Sequence, residues 1–138
     1  MISIRLHPAA RREIQRAFAW YLKEAGSRIA AGFLDDLEHT QNLLKTHPEI
    51  GEHGGSHTRR LIFQRYPYTV VYRVKGETLE IVAIAHHSRH PEYWAGRRDS
   101  ASPSWGEAYA AIAARMLGAI DAARDAARGH EALVVSHQ

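Results

Sequence analysis

The chain predicts an α+β domain over residues 1–98, with the element order β-α-α-β-β-β, followed by a linker and a C-terminal helical extension. Three observations predict it. Apolar residues recur at helical spacing in two adjacent stretches, 9–25 and 27–47. They alternate with period two in short stretches at 2–6 and between 59 and 85. Gly, Pro and Ser mark the junctions between those stretches.

Residues 2–6 alternate apolar and polar side chains and read as a short strand. Pro8 suits the first turn of a helix, because its missing N–H would lack a partner there in any case. In that helix Ile14, Phe18, Tyr21 and Leu22 share a face, and Gly26 ends the run. Ser27 is the expected N-cap of a second helix whose stripe is Ile29, Ala30, Phe33, Leu34, Leu37 and Leu44, stopping near His47-Pro48. Two amphipathic helices around a Gly-Ser corner form a hairpin with one apolar side, which needs a sheet to cover. Residues 51–56 are a loop by composition. Residues 59–64 are then a strand, Tyr66-Pro67 a turn or bulge, and 68–75 a strand with Tyr68, Val70, Tyr72 and Val74 on one face. Gly76-Glu77 is a tight connection to the most apolar strand, 79–85, expected near the centre of a four-stranded sheet. Residues 99–104 are a linker. Residues 105–138 hold an Ala-rich helix striped by Tyr109, Ile112, Ala113, Met116, Leu117, Ile120 and Ala123, then a short strand at 132–135.

Hydrophobic content of 45% and charged content of 24% are ordinary for a globular chain. There is no cysteine, which excludes disulfides and thiolate chemistry. No apolar run approaches the about 18 residues of a membrane helix, and the first residues lack a basic stretch followed by an apolar one. The expectation is a cytoplasmic protein without a membrane partner. The net charge of +3 is unevenly placed. Residues 1–98 carry 15 Lys and Arg against 10 Asp and Glu, an excess of +5, whereas residues 99–138 carry 3 against 5. Such a basic excess suits a nucleic acid or an acidic protein segment.

Three groups of residues are candidates for chemistry. Arg59, Arg60, Arg65, Arg73 and Lys75 lie on the predicted sheet. If the helices cover the tyrosine face, Arg73 and Lys75 point to the open side, where a guanidinium fork suits phosphate. Lys and Arg also serve on edge strands simply to block aggregation. His86-His87-Ser88-Arg89-His90 follows the most apolar strand and has groups for acid–base work on a phosphodiester. Neighbouring His on an extended segment point opposite ways, so no metal site is expected, and no cofactor. Tyr93 and Trp94 either pack across the end of the sheet or stand as a platform for a base or a partner protein.

Taken in order, Arg60-Leu-Ile, Tyr66-Pro-Tyr-Thr-Val-Val-Tyr-Arg-Val, the strand 81–85 and His86-His-Ser-Arg-His-Pro-Glu-Tyr-Trp resemble the RelE/ParE superfamily of bacterial type II toxins. The resemblance covers about residues 1–98 and implies a compact RelE/ParE-like toxin fold of the order read above. It also implies a toxin-antitoxin system with a plasmid-stabilising or growth-inhibiting role, and a cognate antitoxin as partner. RelE-like members cut mRNA on the ribosome with Lys and Arg side chains and often a terminal Tyr or His. ParE-like members lack that set and inhibit DNA gyrase. On this match Arg60, Arg65, Arg89 and Tyr93 fall near catalytic positions, and Arg59, Arg73, Lys75, His87 and Trp94 near target-binding ones. The strand 59–64 has no lysine, and the Arg-x-Pro-x-x-Trp ending is more similar to the gyrase-directed branch. The primary expectation is therefore a gyrase inhibitor. A ribosome-dependent mRNA endonuclease is the alternative, and an inactive toxin covered by its extension is the second alternative. A homo-oligomer is compatible with either branch.

The extension resembles a different family. Trp105-Gly-Glu107, Ala113-Ala-Arg-Met and Gly129-His-Glu-Ala-Leu-Val-Val-Ser-His137-Gln are similar to the late segment of a histidine phosphatase. Glu107 and His137 then match an acid–base glutamate and the second catalytic histidine. The Arg-His-Gly motif of the phosphorylated histidine is missing from the chain, so a fragment without phosphatase activity is expected.

Overall fold

The computed structural model describes residues 2–97 and Ala114. The elements are β1 (Ser3–Leu6), α1 (Pro8–Ala25), α2 (Ser27–Thr46), β2 (Glu52–His53), β3 (Arg59–Ile62), β4 (Tyr68–Lys75) and β5 (Thr78–His86). They build one sheet in the order β1-β5-β4-β3-β2. β1 runs parallel to β5, and the other neighbours are antiparallel. The α+β class and the expected element order are both present. The linker and extension at 99–138 lie outside the described residues, save Ala114, which is helical and exposed.

Pro8 begins α1, and the His7 ring nitrogen Nδ1 accepts from Ala9 N at 3.0 Å to cap it. Ala10, Ile14, Ala17, Phe18 and Tyr21 form its buried stripe. Gly26 turns the chain at φ 94°, a left-handed conformation that disfavours any Cβ, and itself precedes α2. Ser27 is therefore the first helical residue and not the N-cap. Ile29 also departs from expectation: it is 42% exposed, and the buried stripe of α2 starts at Ala30. Nearby, the Tyr66 hydroxyl donates to the Ile29 carbonyl at 2.6 Å and occupies the space over Gly32.

The helices cover one face of the sheet, where Leu6, Ile14, Phe33, Leu37, Tyr72, Leu79, Ile81 and Ile84 are buried together. Two features of the sheet are not in the periodicity. The loop at 51–56 contains β2, which pairs Glu52 with Arg60 and His53 with Arg59, so the sheet has five strands and not four. Between Val71 and Tyr72 the register shifts: Val71 faces Ala83, but Tyr72 faces Ile81. Val82 is thus an extra residue, a bulge that reverses which side chains face the helices. Leu79 and Ile81 join the helix-side core before it and Ile84 after it, while Val82 and Ala83 turn to the other face.

β3 ends at Ile62, two residues before the expected end. The buried Asp36 carboxylate on α2 accepts from the backbone N–H groups of Gln64, Arg65 and Tyr66 at 3.3, 2.8 and 2.9 Å. Three amides captured by one charge pull the chain out of the ladder and into the turn before β4.

Candidate functional site

The face of the sheet away from the helices carries the groups of interest. Alternation along β3 and β4 brings Arg60, Ile62, Thr69, Val71 and Arg73 to it, and the bulge adds Val82 and Ala83 from β5. After β5 the segment 88–97 turns back in a series of short turns. Trp94 closes it down: the indole is 4% exposed and packs with Val71, Val82 and Ala83. It is accordingly part of a second small core and not an exposed platform, because bulged β5 presents apolar residues that need cover.

A shallow groove of ≈ 170 Å³ is left between the segment and β3–β4. Arg60, Thr69, His87, Arg89, His90, Tyr93 and Trp94 are among its lining residues. It adjoins a wider hollow of ≈ 480 Å³ that shares Arg60 and Thr69 and adds Ile50, Glu52, Leu61 and Ile62. Ile62 is 65% exposed there. The His87 ring nitrogen Nε2 lies 3.1 Å from the Thr69 hydroxyl. The Arg89 guanidinium sits over the Tyr93 ring, 3.9 Å from its centroid, a cation–π contact that keeps the charge beside the groove.

Below these residues is a buried ion pair. Glu13 on α1 accepts from Arg97 at 3.0 and 2.9 Å, and from the backbone N–H of Ile84 at 2.9 Å. The Tyr93 hydroxyl donates to the same carboxylate in a short bond of 2.5 Å. Arg97 also donates to the Val82 carbonyl at 3.0 Å. β1 leaves β5 at Ile81, so the Glu13–Arg97 pair takes over the backbone groups of Val82 and Ile84 that lost their strand partner. Burial, and then the Glu13 carboxylate, push the Tyr93 phenol well above the ordinary tyrosine range. For Arg97, burial works against the charge, but Glu13 and Tyr93 together offset it and leave the pKa raised.

A family model described as ParE toxin of type II toxin-antitoxin system, parDE, matches residues 4–91. The chain belongs to the ParE toxin family. A solved chain described as "Chromosomal ParDE TA system from P. aeruginosa" shares its fold, with a TM-score of 0.57 at 21% identity, covering 62% of this chain and 96% of that one. The model of the histidine phosphatase superfamily (branch 1) matches residues 73–138, overlapping the ParE match from 73 to 91. Uncharacterized protein Rv0525 of Mycobacterium tuberculosis (strain ATCC 25618 / H37Rv) and uncharacterized protein MT0547 of strain CDC 1551 / Oshkosh are each 52% identical over 50 residues, 36% of this chain. The chain spans about a quarter of the length of these curated relatives.

In this ParE-family toxin, five of the nine residues expected near catalytic or target-binding positions line the one groove: Arg60, His87, Arg89, Tyr93 and Trp94. The other four lie elsewhere. Arg59 donates to the carbonyls of Glu49 and Gly51 at 3.0 and 2.9 Å and ties down the chain before β2. Arg65 is exposed on the turn that Asp36 holds. Arg73 pairs with Glu80 across the β4–β5 ladder at 3.2 Å and donates to the Arg97 carbonyl at 2.8 Å. Lys75 ends β4 opposite Thr78. Sequence reasoning missed Glu13 and Arg97. The available signal was a glutamate among the buried positions of α1, between Ala10 and Ala17. Among the described residues no cluster of His, Asp or Glu has the makings of a metal site. No helix among them is long and apolar enough to cross a membrane.

Proposed function

We propose that this ParE-family toxin arrests growth by inhibiting DNA gyrase, and that a cognate antitoxin restrains it. The observation that carries the reading is the engagement of Tyr93. Its hydroxyl donates to Glu13 and its phenol resists ionisation, so the one tyrosine near a catalytic position is poorly suited to act as a base. β3 offers arginines and no lysine, and Arg65 and Arg73 lie outside the groove. What the groove presents is a charged and apolar contact surface: Arg60, Arg89 and His87 beside exposed Ile62 and Ile50. Such a surface fits a protein target, and its basic character suits an acidic antitoxin segment as well. Purified protein is expected to block supercoiling by gyrase while transcripts on stalled ribosomes stay intact. Unimpaired supercoiling at high toxin concentration would overturn the proposal.

The convergence of Arg60, His87 and Arg89 on one groove favours a second reading, cleavage of ribosome-bound mRNA. That reading predicts codon-phased cuts that disappear in Arg89→Ala.

A further inference from the structure

An ionised carboxylate is costly to bury unless it is paired and its lone pairs are used. Both oxygens of Glu13 are used. Oε1 accepts from Ile84 N and from Arg97 Nη1, while Oε2 accepts from Arg97 Nη2 and the Tyr93 hydroxyl. Tyr93 and Arg97 both belong to the segment 88–97, which has no helix or strand of its own and is otherwise pinned by Trp94 on the sheet and by Arg73 at the Arg97 carbonyl. Tyr93 in turn carries Arg89 on its ring. The chain of contacts therefore runs from a rigid helix, through one carboxylate, to the exposed arginine at the groove.

We infer that Glu13 is a positioning residue for the groove: through the Tyr93 hydroxyl and the Arg97 guanidinium it fixes the segment 88–97, and so holds Arg89 where a target meets it. The inference rests on the reading that the groove is the target-binding surface. An apolar residue on α1 would fill the same volume but leave the Ile84 N–H and the Arg97 guanidinium without this acceptor, so part of the role of Glu13 is to satisfy them. What the carboxylate adds is direction. It grips two side chains of the segment at once, with bonds of 2.5–3.0 Å that define where both must lie. A long side chain ordered before encounter spares the binding step that ordering cost.

The test compares wild type, Glu13→Gln, Arg89→Ala and the double variant of the full chain. Gln keeps the size of Glu13 but replaces one of its two acceptor oxygens with an NH2 donor, so it cannot serve Ile84 N, both Arg97 Nη groups and the Tyr93 hydroxyl together. The first readout is NMR: the Arg89 guanidinium lies over the Tyr93 ring, so side-chain protons of Arg89 should be shifted upfield in wild type, and Glu13→Gln should collapse that shift while amide dispersion of the sheet is retained. The second readout is potency in the gyrase supercoiling assay. Glu13→Gln should lose about tenfold, the worth of one charge-assisted hydrogen bond, and should add nothing in the Arg89→Ala background. An unchanged Arg89 shift, or losses that multiply in the double variant, overturns the inference. If Glu13→Gln does not fold, Tyr93→Phe carries the test. It keeps the ring and the Glu13–Arg97 pair but frees the ring from the carboxylate, and an unchanged Arg89 shift again overturns the inference. A wild-type protein that leaves gyrase untouched removes the target reading, while the NMR comparison still decides the role of Glu13.

Discussion

Replacing Trp94 with alanine removes the cover from Val71, Val82 and Ala83, a cluster separate from the helix-side core. Truncating a buried aromatic residue to alanine costs about 3–5 kcal/mol. Here that cost falls on one segment. Once the indole is gone, residues 88–97 are held by the Arg97–Glu13 pair, the Tyr93–Glu13 bond, the bond from Arg97 to the Val82 carbonyl and the bond from Arg73 to the Arg97 carbonyl. The sheet beneath keeps its ladders and its helix-side packing, so opening of the segment precedes unfolding of the domain. The amides of Tyr93, Ala95 and Arg97, which bond within the segment, should exchange about 10²–10⁴-fold faster, the same free energy expressed as an opening equilibrium. Amides of Val70 and Tyr72 on β4 should change by less than about tenfold. Native-state hydrogen exchange measures both. Uniform acceleration along β4 and β5 would refute the separation of the two clusters, and no acceleration in the segment would refute the anchoring role of the indole.

Gly32→Ala should destabilise the protein, although a helix interior ordinarily gains about 1 kcal/mol from that change, because the new methyl lands on the Tyr66 hydroxyl. In a Tyr66→Phe background the same substitution should turn neutral or stabilising, and denaturant titration of the four proteins reads the change of sign. Alkaline pH gives the second expectation. Burial raises the Tyr68 and Tyr93 phenols above the ordinary value of 10.0, so the unfolded chain loses those protons first. Stability should hold below about pH 10 and fall above it, read as the denaturant midpoint from pH 8 to 11; a midpoint that rises over that range would contradict the burial of these rings.

Local pattern sufficed wherever a structure depends on near neighbours. The helical spacing of Ile14, Phe18 and Tyr21, the Gly26 corner and the alternation of Tyr68, Val70 and Tyr72 determined the hairpin and the central ladder. The order of motifs from Arg60 to Trp94 carried the resemblance to the RelE/ParE superfamily. Residue type alone also marked Arg60 on β3, and His87 and Arg89 after the most apolar strand. Other features rest on partners far along the chain. β2 is two residues long and exists only because Arg59 and Arg60 lie beside it. The bulge at Val82 appears only when β4 and β5 are aligned, and it decides that Trp94 is buried. The Ile29 carbonyl meets the hydroxyl of Tyr66, 37 residues away. Glu13 and Arg97 are 84 residues apart, and nothing in the spacing of either announces the other. A periodicity reports which face of an element is apolar. Which charge meets which, across two elements, is decided only when the faces are packed together.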